Sequence, residues 1–322
     1  MIAGPDLQCI FCRGALDKTP RFIVTDKLAL GRKIPYRFHR CSLCGSDILA
    51  GGVDEGENSK TYEENYMFSM DEKGGRLRKA LQKAEWNLFY KRTYLSDARL
   101  IEKYMGGRRF RLLDVGCGSG LRVKCFGEYG FDARGIETSH PAVEYAANKL
   151  GCDVRLRSLR DCVIARESYD IVTSYAVLEH ITDPSVFIAD LVKLLKPGGL
   201  LLLRVPLAGS FQMRIFAGSH SLYREAPRHV WIPSFKAMTE NIEKFGLSLI
   251  GHRSEPLLSA ASHASLSLFP MAANAIAVKV GLRGVFYRLV GALLAVFPGI
   301  PLALADSFRG VGAHTDFVYR KS

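Results

Sequence analysis

The run Leu112-Leu113-Asp114-Val115-Gly116-Cys117-Gly118-Ser119-Gly120 constrains this chain more than any other stretch. A short apolar segment enters a glycine-rich turn, and glycines there let the backbone turn sharply and approach a ligand at the carboxyl end of a strand. Glu137 follows 19 residues after Gly118, at the end of a second expected strand. A carboxylate at that place can accept hydrogen bonds from both hydroxyls of a ribose. Together these features describe a site for a nucleoside-type ligand. A nicotinamide fingerprint would space the glycines as G-x-G-x-x-G, whereas position 121 is Leu and the third glycine is Gly120.

After Phe110 short apolar runs alternate with helical ones, which predicts parallel βαβ units and a layered α/β fold. Strands are expected at Arg111–Val115, Asp132–Glu137, Asp153–Arg157, Tyr169–Tyr175 and Leu200–Val205. Ser139 with Pro141, and Asp183 with Pro184, start helices, and Pro197-Gly198-Gly199 turns the chain into the fifth strand. Beyond it, Ser234–Phe245 reads as a helix, Leu247–His252 as a strand and Asp316–Lys321 as a last strand. The stretch between these last two, residues 255–313, is longer than an ordinary connection and reads as an apolar helical insertion.

The pieces LLDVGCGSG, GIETS, SYDIVTSYAVLEHITDP and LLKPGGLLLLRVP stand in the order and spacing of the class I S-adenosylmethionine-dependent methyltransferases, which the chain resembles over about residues 108–254 plus the final strand. The resemblance implies a Rossmann-like seven-stranded sheet whose last strand inserts antiparallel between its neighbours. It implies cofactor roles for Asp114, Gly116 and Gly118 near the amino-acid end, Glu137 at the ribose, and Ser158 and Leu159 near the adenine. Cys117, Gly120, Thr138 and Tyr175 complete the candidate cofactor set. Asp114 suits a ligand that, like S-adenosylmethionine, carries an ammonium and a sulfonium.

Methyl transfer needs in-line approach of the acceptor, so much of the catalysis can come from positioning. A general base is needed only where the acceptor holds its proton, and the candidates are His180 in Ala176-Val177-Leu178-Glu179-His180 and His229 in Pro227-Arg228-His229-Val230. Each has a structural alternative as a histidine that anchors its loop. No Asn-Pro-Pro-Tyr or Pro-Cys sequence follows the fourth strand, which removes the two best-marked routes to nucleobase methylation.

Eight cysteines lie at 9, 12, 41, 44, 117, 125, 152 and 162, and only the first four are paired. Cys9/Cys12 and Cys41/Cys44 read as two knuckles of a small zinc-ribbon-like module over residues 1–50, with four thiolates filling a structural Zn2+ site. His39 lies two residues before Cys41 and reads as a ribbon residue. Such modules resemble those on methyltransferases that act on nucleotide-linked sugars or on ribosomal RNA. With no disulfide framework and no signal-peptide pattern at Met1–Cys12, the expected location is cytoplasmic.

Residues 51–107 read as a linker and a basic helical segment, followed by a methyltransferase domain over 108–322. Between 71 and 111 twelve Lys or Arg face five Asp or Glu, and the whole chain carries a net charge of +12, which favours an anionic partner. RNA would want aromatics placed to stack on bases, whereas Trp86, Phe89, Tyr90 and Tyr94 fit a helix core. No Asp, Glu, Lys or Arg occurs from Leu257 to Val278 or from Leu289 to Ala305, but Pro270, Pro298 and Pro301 interrupt these lengths. With Arg283, Arg288 and Arg309 flanking them, the insertion is either a lid over the acceptor pocket or a peripheral contact at the inner membrane surface. The expected function is methylation of a small-molecule, glycan or lipid-linked acceptor at oxygen. The alternatives are an RNA methyltransferase, dependent on Arg76, Arg78 and Lys79, and a non-catalytic cofactor-binding scaffold.

Overall fold

The computed structural model describes residues 8–25, 35–51, 90–160, 166–268 and 299–322. The linker, Arg76, Arg78, Lys79, Trp86, Phe89, Cys162, Pro270, Arg283, Arg288 and Pro298 lie outside these residues. Tyr90 and Tyr94 lie within them, with ring centroids 6.4 Å apart.

Two sheets organise the described residues. The N-terminal sheet holds β1 (Phe22–Thr25), β2 (Pro35–Arg40) and β3 (Asp47–Ala50). Helix α1 (Lys91–Met105) then leads to the large sheet, made of β4 (Arg111–Val115), β5 (Asp132–Glu137), β6 (Val154–Leu156), β7 (Tyr169–Tyr175) and β8 (Leu195–Pro206). Helices α2 (Leu121–Tyr129), α3 (His140–Tyr145) and α4 (Pro184–Leu194) connect these strands. After α5 (Phe211–Phe216) the chain makes β9 (Trp231–Ile232), α6 (Phe235–Glu240), β10 (Leu247–Ser254), α7 (Leu257–Leu268) and β11 (His314–Lys321).

The large sheet runs β10-β11-β8-β7-β4-β5-β6, with β11 antiparallel to both β10 and β8. This is the seven-stranded order the resemblance implies, and the step from β7 through β4 to β5 is the switch point where α/β sheets bind ligands. Leu200, Leu201, Leu202 and Leu203 of β8 are fully buried, which explains why that strand reads as a continuous apolar run rather than an alternating one.

Five expected elements differ in extent, of which β10 runs on to Ser254 and β11 begins at His314, each two residues beyond the expected bound. Strand β8 begins at Leu195, which already pairs with Tyr169, so Pro197-Gly198-Gly199 sits in an irregularity within the strand, with Gly198 at φ 74°. The helix expected over Ser234–Phe245 stops at Glu240 and resumes as a single turn at Glu243–Phe245. There the Thr239 hydroxyl competes for the carbonyls of Phe235 and Lys236. Strand β6 is trimmed to three residues.

The N-terminal sheet does not stand apart. Its order is β1-β2-β3-β9, so Trp231–Ile232, contributed from beyond β8, completes it. Cys9, Phe11, Cys41, Cys44 and Ile48 share one core with Leu113, Val115 and Trp231, and Phe11 lies 5.3 Å from the Trp231 ring. The start of the insertion is helical as expected, and Ala260 and Ala261 of α7 pack against Ala303 of the helical residues 299–307. Among the described residues no helix is long and apolar enough to cross a membrane.

Candidate cofactor and acceptor site

The turn after β4 carries three glycines in the left-handed region, Gly116 at φ 71°, Gly118 at 59° and Gly120 at 76°. A side chain at Gly116 would bring its Cβ to 2.5 Å from Val177, so the turn lies directly against the segment that follows β7. Glu137, buried at the end of β5, accepts the Gly118 amide through Oε2 at 2.8 Å and those of Thr138 and Ser139 through Oε1 at 2.7 and 2.9 Å. Each carboxylate oxygen has two lone pairs, so Oε2 retains capacity for a further donor.

Asp114 is buried; its Oδ1 accepts the Thr173 hydroxyl at 2.7 Å and its Oδ2 makes no hydrogen bond among the described residues. Burial raises its carboxyl to about 6, against the pull of Arg122 and Thr173. Cys117 packs its side chain against Gly135 of β5. Ser158 and Leu159 lie in the loop after β6, and Leu159 rests on the main core. Tyr175 is placed differently, with the Arg122 guanidinium 3.6 Å and that of Arg204 5.0 Å from its ring centre. It belongs to a buried charge cluster in which Arg204 bridges Asp97 and Asp316.

The two histidines singled out in the sequence meet, with ring centroids 4.8 Å apart. Nδ1 of His180 lies 2.9 Å from the Arg228 carbonyl and Nδ1 of His229 lies 2.7 Å from the Leu222 carbonyl. A carbonyl can only accept, so both Nδ1 atoms carry the proton and both rings anchor their loops as well as facing one another. Burial, reinforced by His229, holds His180 down to about 3, and burial keeps His229 well below its ordinary value.

Sequence reasoning passed over the residue between Leu178 and His180. Glu179 is fully buried, both its carboxylate oxygens lack hydrogen bonds among the described residues, and Oε1 faces His229 Nε2 at 3.9 Å. Burial raises its carboxyl to about 7, partly offset by His314. A carboxyl poised near neutrality is a better-matched proton acceptor than an imidazole held near 3. Its presence in the Leu-Glu-His triplet was visible, but its burial was not. Ala176, at φ 54°, carries the strained backbone that turns this segment over the glycines.

At the other end of the shared core the four cysteine sulfurs converge. All lie within 4.8 Å of one another, with Cys9 and Cys44 at 3.8 Å and Cys12 and Cys41 at 3.5 Å. Thiolates around a tetrahedral zinc, each at about 2.3 Å, stand about 3.8 Å apart, so this donor set fits that ion.

A family model described as a methyltransferase domain matches residues 75–252, more than half of the chain. The chain belongs to this methyltransferase family. Among curated proteins it is similar to the ubiquinone biosynthesis O-methyltransferase of Cereibacter sphaeroides, 35% identical over 132 residues that cover 38% of this chain and 52% of that protein. The protein of the same name from Parvibaculum lavamentivorans is 32% identical over 110 residues, covering 33% of this chain and 42% of its own length. The methyltransferase chain thus spans about half the length of these relatives. Solved structures similar to it include a putative sarcosine dimethylglycine methyltransferase from Galdieria sulphuraria, at 15% identity and a TM-score of 0.49, covering 83% of this chain and 98% of that one. Another is the 1,6-didemethyltoxoflavin-N1-methyltransferase of Burkholderia thailandensis, at 10% identity and a TM-score of 0.49, covering 87% of this chain and 96% of that one.

Proposed function

We propose that this protein methylates a hydroxyl of a small acceptor, with S-adenosylmethionine as the methyl donor. The reading rests above all on the closure of Glu137 onto the Gly118 amide beneath a turn of three left-handed glycines. That arrangement leaves backbone for the amino-acid end of the cofactor and a carboxylate lone pair for its ribose, with Ser158 and Leu159 toward the adenine. The O-methyltransferases that are 32% and 35% identical to this chain over 110 and 132 aligned residues support oxygen as the acceptor atom.

The bound cofactor supplies an electrophilic methyl group on a sulfonium. The protein's own part is to orient the acceptor and to take its proton. We assign the proton to a Glu179 carboxylate oxygen, so the acceptor oxygen attacks as its O–H bond breaks and Glu179 leaves the step as a neutral carboxyl. His180 and His229, neutral and fixed on backbone carbonyls, hold the loop beside Glu179. Cys9, Cys12, Cys41 and Cys44 would hold one structural zinc ion, leaving no open position on the metal for chemistry.

Calorimetry with S-adenosylmethionine and S-adenosylhomocysteine tests the cofactor assignment, with NAD as control. Micromolar binding of both sulfur ligands and none of NAD is expected. A folded, zinc-loaded protein that binds neither would leave the scaffold without its proposed cofactor. An acceptor screen of small phenols, glycan precursors and lipid-linked compounds then follows methyl transfer to oxygen.

A further inference from the structure

Another cluster of side chains of metal-ligating type lies where the insertion leaves and re-enters the sheet. Ser254 at the end of β10 pairs with Thr315 of β11, which sets Glu255 beside His314; the Glu255 amide donates to the His314 carbonyl at 3.1 Å. Helix α7 starts two residues later and brings His263 back over the pair. The Glu255 carboxylate, His263 and His314 each offer one ligand atom, all within 4.8 Å of one another.

The groups that hydrogen-bond to Glu255 and His263 do so from outside the common centre of the three side chains. Oε1 of Glu255 accepts the His314 amide at 3.0 Å, and Oε2 accepts the Ser259 hydroxyl. The Ser221 hydroxyl can donate to the His263 carbonyl at 3.4 Å, and its oxygen stands 3.4 Å from His263 Nδ1 as an acceptor. That proton placement turns the His263 Nε2 lone pair toward Glu255 Oε2, 3.7 Å away. Nδ1 of His314 lies 3.4 Å from Glu255 Oε1, in a buried position and without hydrogen-bond geometry. The His263 Nε2 lone pair facing a carboxylate oxygen is unfavourable unless a cation lies between them, and at His314, whose Nδ1 proton can form the ion pair with Glu255, a metal ion would take that proton's place. Two ligands about 2.1 Å from one ion stand about 3.0–3.4 Å apart, so Glu255 and His314 already have that spacing, and the wider separations would contract on binding.

We propose that Glu255, His263 and His314 bind a divalent first-row transition metal ion. Two imidazoles and one carboxylate favour zinc or iron(II) over magnesium or calcium, whose preferred donors are oxygens. Three protein ligands leave at least one position for water or a small oxygen ligand. Ser221 and Ser259 orient the ligands from outside, as the partners of metal-bound histidines and carboxylates commonly do. His263 is the half-buried member, with its side chain 20% exposed, and provides the route of entry. The site is separate from the cysteine cluster, and His314 couples it electrostatically to Glu179.

The test is zinc stoichiometry and zinc-edge X-ray absorption on the full-length protein, equilibrated with zinc and dialysed into metal-free buffer. Two zinc ions per chain are expected, with a mixed first shell of sulfur at about 2.3 Å and nitrogen or oxygen at about 2.0 Å, and imidazole scattering beyond it. His263→Gln, and separately Glu255→Gln, should lower the content from two to one and leave sulfur alone. A single ion with nitrogen and oxygen ligands that is lost in His263→Gln would support this site while removing the cysteine assignment. An all-sulfur shell in the unaltered protein overturns the proposal without any variant needing to fold. So does a nitrogen- and oxygen-ligated ion that survives His263→Gln.

Discussion

Glu137 Oε2 accepts the amide hydrogen of Gly118 at 2.8 Å, which ties the end of β5 to the glycine turn that follows β4. One side chain thereby shapes the turn and, in the proposed function, presents a carboxylate to the cofactor's ribose. Glu137→Ala is expected to weaken S-adenosylhomocysteine binding about 10- to 100-fold, the worth of one or two hydrogen bonds to a charged group. Glu137→Gln, which keeps one acceptor oxygen, should fall between. Calorimetry reads both, and an unchanged Kd in the alanine variant would remove Glu137 from the cofactor site.

Glu179 sets the expected pH dependence. Its carboxyl, raised to about 7 by burial, accepts a proton only when ionised. Activity should therefore be lost as pH falls through about 7 and be fully present about a unit above it. His180, held down to about 3, stays neutral across this range and contributes no limb. Glu179→Gln should depress kcat and flatten the profile while leaving cofactor affinity in place. A profile with the same midpoint in the variant would assign the proton to another group.

Asp97 lies at the centre of the buried charge cluster. It accepts from Arg204 and Arg253 at 2.7 Å each and faces Arg122 at 3.4 Å. Asp97→Ala strands buried guanidinium charge and should cost about 3–5 kcal/mol of stability in urea denaturation. The exposed pair of Lys124 and Glu128, 3.1 Å apart on α2, makes the control. Lys124→Ala should change stability by no more than about 0.5 kcal/mol. Equal effects from the two substitutions would contradict the burial argument.

The cysteine assignment predicts a loss of both metal and stability. Cys9→Ser with Cys12→Ser should remove one zinc equivalent and lower the melting temperature of the whole protein, because the knuckles share their core with Trp231 and the large sheet. Elemental analysis and differential scanning calorimetry measure the two effects. Retention of the sulfur-ligated zinc in the double variant would exclude this ligand set. Zinc loss with an unchanged melting temperature would show that the metal does not support the fold.

The features legible in the sequence are those that neighbouring residues decide among themselves. Strands β4, β5 and β7 were readable to the residue because short apolar runs bounded by turn residues specify them locally, and Asp183 ahead of Pro184 marked the start of α4, where its carboxylate caps the helix by accepting the Val186 amide. Glycines after β4, Glu137 after β5 and two Cys-x-x-Cys pairs are likewise local patterns with a known chemistry. Strand β9 was not readable, since two residues carry no period, and only the edge of β3 makes Trp231–Ile232 a strand. Nor could the sequence show that Tyr175 lies between guanidinium groups, that His180 meets His229, or that Glu179 is buried enough to titrate near neutrality. Residues 255, 263 and 314 converge only because β11 inserts between β10 and β8. Burial and proton affinity depend on groups brought together across tens to hundreds of residues, and only the tertiary structure decides those distances.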